Sequence, residues 1–180
     1  MTTVTMTKTI PTSGIGYTLG SSSSGDVTVS GSGSSRTVTF NLNLFADKII
    51  FNSKKNMIKI PIPKTTYLIP SQSTVVDLNR NEEDIVITIY LDNDSIFTAE
   101  QKMWILRAFE ANGGPCSSFV WGSTTIDGSD TSVTKAFIER TTFEVMESSE
   151  DAATGSTTTG TGEPRIKGTI GLYLGTDRKS

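Results

Sequence analysis

Residues 84–91 read Asp-Ile-Val-Ile-Thr-Ile-Tyr-Leu, a pattern that favours a β fold. Isoleucine recurs at every second position from Ile85, and side chains along a strand alternate between the two faces of a sheet. The stretch is the most hydrophobic of the candidate strands, and its β-branched residues favour extended structure. We therefore predict a central strand here, with one face turned toward the protein core.

Alternating apolar and polar residues mark further strands on both sides of this one. The stretch 57–63 carries two prolines, which cannot donate to a ladder, so it is predicted to be an edge strand or an extended arm. The last two strands are predicted to form a hairpin, and a break in phase near Arg140 predicts a β-bulge. The candidate strands besides 84–91 are 38–44, 48–51, 57–63, 117–121, 134–146 and 166–174.

One helix is predicted, at about residues 99–112. Thr98 and Gln101 fit a capping box, in which each residue satisfies a backbone N–H of the other. The sequence Gly-Gly-Pro at 113–115 ends the helix. Apolar residues recur at helical spacing, so this helix is expected to pack across a sheet or a barrel mouth. The predicted anchors of the helix in the core are Met103, Trp104, Leu106 and Phe109.

Composition divides the chain near residue 35. Residues 1–35 are rich in Ser, Thr and Gly, but the stretches 4–10, 15–19 and 27–29 alternate in the manner of half-buried strands. We expect an N-terminal arm that becomes ordered on assembly and is dispensable for folding. Residues 147–162 are acidic and then rich in Thr and Gly, so a long loop is expected. Residues 36–180 are predicted to form a single, mainly β domain: an antiparallel β-barrel or sandwich with one flanking helix.

The composition argues against most catalytic chemistry. The chain has no histidine and one cysteine, Cys116, which excludes histidine-based triads, a Cys-His pair and a structural zinc site. Asp92 and Asp94 have the chemistry to bind a hard cation, but they lack the spacing of a calcium loop, and an Asx-rich turn is expected there. The sequence thus predicts no enzyme, no metal and no cofactor.

Charge is segregated along the chain. The net charge of −3 argues against a protein whose main task is to grip nucleic-acid phosphates. A lysine-rich stretch at 48–64 precedes an acidic stretch at 77–94. Two interpretations stay open: two solvated faces of one domain, or matching surfaces that attract identical subunits head to tail. The candidate intersubunit residues are Lys54, Lys55, Lys59, Glu82, Glu83 and Asp84.

A family resemblance lies in the order of elements. Residues 75–87 read Val-Val-Asp-Leu-Asn-Arg-Asn-Glu-Glu-Asp-Ile-Val-Ile and lead into the central strand. A helix that begins Ala-Glu-Gln-Lys follows, then a Gly-Gly stop, a Phe-Val-Trp-Gly strand at 119–122 and a final Gly-Leu-Tyr-Leu-Gly strand. Over roughly residues 36–175, this order resembles the tail-tube and baseplate-tube proteins of tailed viruses and related contractile injection systems.

The resemblance implies a small β-barrel or sandwich whose subunits form rings, usually of six, that stack into a tube around a lumen. It implies that the chain binds itself and other tail or baseplate proteins, and that DNA or effectors pass through the lumen. It places the protein in the virion tail after synthesis in the host cytoplasm. It carries over no catalytic residue. If Glu82, Glu83 and Asp84 line the lumen, neutralising them should alter cargo passage rather than folding.

Two other classes of function stay open. One is a different self-assembling virion or surface β protein, such as a decoration, fibre or adaptor protein. The other is a carbohydrate-binding β-sandwich, which would need exposed aromatic side chains, whereas Trp104 and Trp121 are expected in the core. No apolar run approaches the length of a membrane-spanning helix, so membrane insertion is not expected.

Overall fold

Most of the described residues form β-strands, in which apolar and polar side chains alternate, and the strands pair in antiparallel sheets. The computed structural model describes residues 4–42, 46–61, 73–128, 134–146 and 165–175. In this part of the chain, the predicted mainly β class with one flanking helix is confirmed. The strands are β1 (Val4–Pro11), β2 (Ser13–Gly14), β3 (Tyr17–Thr18), β4 (Val27–Ser30), β5 (Ser35–Asn41), β6 (Ala46–Pro61), β7 (Ser73–Leu91), β8 (Ser118–Trp121), β9 (Thr124–Asp127), β10 (Lys135–Met146) and β11 (Arg165–Gly175), and the helix is α1 (Ala99–Ala111).

The first sheet orders five of the described strands as β4-β5-β1-β8-β9. In β1, Val4, Met6 and Ile10 point inward and are buried, whereas the intervening threonines point outward. The threonines of β1 and β5 lie opposite one another, and the hydroxyl oxygens of Thr7 and Thr39 are 2.8 Å apart. The sheet therefore has one apolar, buried face and one polar face, as the alternation predicts.

The N-terminal segment is placed differently from the expected arm. Strand β1 lies between β5 and β8, in the middle of the first sheet, and Met6 and Val27 are fully buried. Residues 4–30 therefore share the core of the domain, and the boundary at residue 35 is corrected. Composition suggested otherwise because the segment contributes few apolar residues, but most of them are buried, with Ile15 as the exception.

The second sheet orders four described strands as β10-β11-β7-β6. Strand β7 is an inner strand and β6 is an edge strand, as the sequence predicts. Strands β10 and β11 pair as the expected antiparallel hairpin, and the register shifts between Ile138 and Arg140, which confirms the bulge. The predicted loop at 147–162 lies outside the described residues.

Strand β6 is longer than expected. The two short strands predicted at 48–51 and 57–63 are one continuous strand to Pro61; Pro63 lies outside the described residues. Register shifts between Ala46 and Lys48 and between Lys55 and Met57 interrupt the pairing of β6 with β7. These irregularities hide the continuity of β6, because each one breaks the period-2 pattern by which a strand is recognised.

Helix α1 joins the two sheets. Thr98 and Gln101 form both bonds of the capping box, and the helix ends one residue before the predicted position. Leu106 and Phe109 are fully buried, and the ring of Phe109 meets Phe40 of β5 edge to face at a centroid distance of 5.8 Å. Met103 and Trp104 are partly buried and pack against the same core.

Deleting residues 1–35 is expected to abolish cooperative folding, because β5 and β8 would lose their shared neighbour β1 and the core would lose its inward apolar residues. Thermal unfolding followed by circular dichroism measures this. The substitution Met6→Ala should cost about 2–5 kcal/mol, whereas Thr9→Ala, on the outward face of the same strand, should cost under about 1 kcal/mol. A truncated chain that melts cooperatively would contradict the assigned role of β1.

Candidate assembly surface

The second sheet extends beyond its own core as a two-stranded ribbon. Strand β11 pairs with β7 from Leu91 to Glu83. Beyond Glu83, the described pairing of β7 is with β6 alone and continues to the pair Pro61–Ser73. We name residues 54–61 and 73–82 the ribbon. At about 3.3 Å per residue, it is roughly 30 Å long.

The ribbon presents apolar side chains to solvent. Met57 is 53% exposed and Ile58 is 49% exposed. Because they are consecutive strand residues, they point to opposite faces of the ribbon. An isolated two-stranded hairpin is marginally stable in water, so a ribbon without a third strand is stabilised by any surface that packs against it. Each face of the ribbon thus carries an apolar side chain that is about half exposed to solvent.

The predicted intersubunit residues come together at the ribbon and its base. Lys54 lies opposite Glu82, and the adjoining acidic residues Glu83 and Asp84 lie opposite Ser53 and Asn52. The amide nitrogen of Asn52 donates to Asp84 at 2.8 Å. Opposite charges are thus neighbours within one chain. The remaining two predicted residues are also on the ribbon: Lys55 is exposed, and Lys59 pairs through its backbone with Val75, its side chain lying outside the described part.

An aromatic contact at the base of the ribbon links the two sheets. The rings of Phe51 in β6 and Trp121 in β8 are 4.7 Å apart. Trp121 is 40% exposed, so the expectation that it is a core residue is wrong. Strand β8 ends at this residue, and the ring packs against Phe51 of the second sheet rather than inside the core. The contact makes the base of the ribbon part of the folded domain.

A buried lysine holds the other end of β7. Lys102 of α1 is completely buried, and its ammonium group lies 3.2 Å from an oxygen of Asp26 and 2.7 Å from an oxygen of Asp94. It also donates to the main-chain oxygen of Asp92 at 2.8 Å. The sequence alone does not indicate this cluster, because a lysine within a helix is normally exposed.

Asp94 also forms the predicted turn before the helix. Its Oδ1 accepts hydrogen bonds from the main-chain N–H groups of Ile96 and Phe97, both at 2.7 Å. Burial alone would raise the pKa of Asp94, but Lys102 and these two N–H groups lower it to about 2. Asp92 pairs instead with Arg165, at 2.7 Å between Oδ1 and Nε. Both carboxylates thus have structural partners.

The chemistry available in the described residues is limited. Cys116 is buried, and burial raises the pKa of its thiol to about 11, so the thiol is protonated at neutral pH and a weak nucleophile. Within the described ranges, no three His, Cys, Asp or Glu side chains are grouped to hold a metal ion. In the same part of the chain, no helix has the length and apolar character to span a membrane.

Comparisons with protein-family models, with curated proteins and with solved structures found no match to this chain.

The substitution Lys102→Met is expected to lower the free energy of unfolding by about 3 kcal/mol, because it leaves two carboxylates beside a buried apolar site without their counter-ion. Chemical denaturation measures this loss. In a chain that already carries Asp94→Asn, the same substitution should cost less, since one of the orphaned charges is gone. Equal losses in both backgrounds would contradict the ion pair between Lys102 and Asp94.

The low pKa of Asp94 predicts an acid-sensitive contribution to stability. Because the folded pKa of about 2 lies below the unfolded value of 3.8, the stabilisation is complete above about pH 4 and is lost as the pH falls through about 2. The variant Asp94→Asn keeps the acceptor oxygen of the turn but has no charge to titrate. Its free energy of unfolding should vary less between pH 4 and 2 than that of the parent; identical profiles would refute the assignment.

Proposed function

We propose that this chain is a structural subunit of a viral tail tube, or of a related injection apparatus, that assembles with copies of itself. The observation that carries the proposal is the ribbon: two strands of one domain extend past the core and hold Met57 and Ile58 about half exposed. In a monomer, the exposed parts of these side chains contribute no hydrophobic stabilisation. A neighbouring subunit that covered them would convert that exposed apolar area into binding energy.

The order of elements supports a tube over other assemblies. Tail-tube and baseplate-tube proteins, which the sequence resembles, form rings, usually hexameric, that stack around a lumen. A ribbon that leaves one end of the domain makes a different surface from the one that receives it, so the contact is heterologous, and heterologous contacts close into rings or propagate as filaments. In this proposal the protein resides in the virion tail, contacts other tail or baseplate proteins and lets DNA or effectors pass.

A second candidate function rests on Trp121. Its partly exposed ring beside Phe51 offers an aromatic platform of the kind that carbohydrate-binding sandwiches use. One face of the ring is already occupied by Phe51, which leaves less area for a sugar. A decoration, fibre or adaptor protein would use the ribbon in the same way as a tube subunit and would differ in the symmetry of the assembly.

The proposal is tested by mass and shape across concentration, by light scattering followed by electron microscopy. The parent is expected to form rings or tubes. The double substitution Met57→Lys/Ile58→Lys should raise the concentration of half-complete assembly at least about tenfold, the effect of roughly 1.4 kcal/mol per contact. Lysine is tolerated on exposed edge strands, so the variant should keep the melting temperature of the parent.

The matched control is Val145→Lys, since Val145 is also exposed and apolar but lies in β10, away from the ribbon. This variant should assemble like the parent. A parent that stays monomeric at every concentration would refute the proposed function. Assemblies without a central hole would favour the decoration or fibre alternative.

A further inference from the structure

A groove lies between the β2–β3 hairpin and the C-terminal half of α1. It has a volume of about 520 Å³, within the size range of binding sites in proteins. Pro11, Ile15 and Tyr17 line one side, and Trp104, Ala108 and Ala111 line the other. Ile15, at the tip of the hairpin, is 80% exposed. The lining is mostly apolar, so water in the groove is readily displaced by apolar side chains.

The walls of the groove are held in place. Gly16 lies on the ring of Trp104 with a φ of +78°, and a Cβ at this position would overlap the ring. The Trp104 indole nitrogen faces Glu100 at 3.4 Å, and the guanidinium group of Arg107 lies 5.0 Å from the ring centroid. A site whose walls do not need to move costs less conformational entropy on binding.

The groove and the ribbon lie toward opposite ends of the domain. Strand β1 begins at Val4, which pairs with Trp121, and the Trp121 ring contacts Phe51 at the base of the ribbon. The same strand ends at Pro11, which lines the groove. At about 3.4 Å per residue, the two ends of β1 are roughly 24 Å apart. One chain therefore carries an apolar projection at one end and an apolar receptor at the other.

Charged groups lie beside the apolar side chains of both surfaces. Helix α1 ends at Ala111 without a basic residue in its last turn, so the partial negative charge of its terminal carbonyl groups lies at the groove. Glu110 and Arg107 line the groove as well, and the guanidinium group of Arg107 lies over the Trp104 ring. The nearby buried Lys8 is directed at the carbonyl of Gly114, 3.0 Å from its ammonium group. On the ribbon, exposed Lys54 and Lys55 precede Met57.

We propose that the groove between the β2–β3 hairpin and α1 receives the Met57–Ile58 part of the ribbon from a second copy of the chain. Met57 and Ile58 point to opposite faces of the ribbon, so either face presents an apolar side chain to Ile15 and Trp104. The lysines that precede them would lie near the electronegative end of α1. This inference rests on the proposed function and names the receptor for the ribbon.

The test pairs two defective chains. The ribbon variant is Met57→Lys/Ile58→Lys, and the groove variant is Ile15→Lys/Ala111→Lys. Both groove positions are exposed, and a lysine at position 111 favours the C-terminal end of a helix, so this variant should fold. At a concentration where the parent assembles but the ribbon variant does not, each variant alone should be monomeric. An equimolar mixture should double the apparent mass and grow no further, because one intact ribbon meets one intact groove while the other contact is repulsive.

Disulfide trapping captures the same contact if it is short-lived. A chain with Met57→Cys mixed with a chain with Ala111→Cys should form a mixed disulfide dimer under mild oxidation, whereas Val145→Cys with Ala111→Cys should give at least about tenfold less. The native Cys116 is buried and should contribute little background.

Three results would overturn the inference, and they are distinguishable. A groove variant that assembles like the parent, while the ribbon variant does not, would leave the proposed function standing and exclude this groove as the receptor. A monomeric mixture together with equal trapping at positions 57 and 145 would exclude it as well. A monomeric parent would remove the inference together with the proposed function.

Discussion

The N-terminal segment, the turn that follows β7 and helix α1 meet at the ammonium group of Lys102. It binds Asp26 from the N-terminal segment, Asp94 from the turn before α1 and the main chain of Asp92 at the end of β7. A charge this deeply buried is costly unless every donor is used, so the three segments have to close around it together. The cluster thereby fixes the first sheet, the helix and the core end of β7 relative to one another.

Because one end of β7 is fixed, this strand can contribute to both the core of the domain and the proposed assembly surface. From Ile85 to Leu91 its alternate residues are buried between the sheets. Before Glu83 the flanking strand β11 ends, and β7 continues with β6 alone. The rigid half of the strand holds the ribbon at a fixed origin on the domain, which reduces the entropy that a partner would otherwise have to overcome in binding it.

Local patterns were sufficient to predict some elements and insufficient for others. The capping box at Thr98 and the bulge near Arg140 depend on residues close in sequence, and both were predictable. The position of β1 depends on pairing with β5 and β8, about 30 and 110 residues away, which composition does not encode. The groove was missed for the same reason, because Gly16 and Trp104 meet only in the folded chain.

The edge strand β6 indicates how a neighbour would have to approach. An open edge invites pairing with any other strand, and proteins prevent this with lysines, prolines and bulges. Strand β6 has all three: Lys54 and Lys55, Pro61, and two register shifts against β7. These features protect the backbone edge of β6 but do not cover its exposed apolar side chains. These features disfavour extension of the sheet by an added strand and favour packing through the faces of the ribbon, where side-chain shape rather than backbone hydrogen bonding selects the partner.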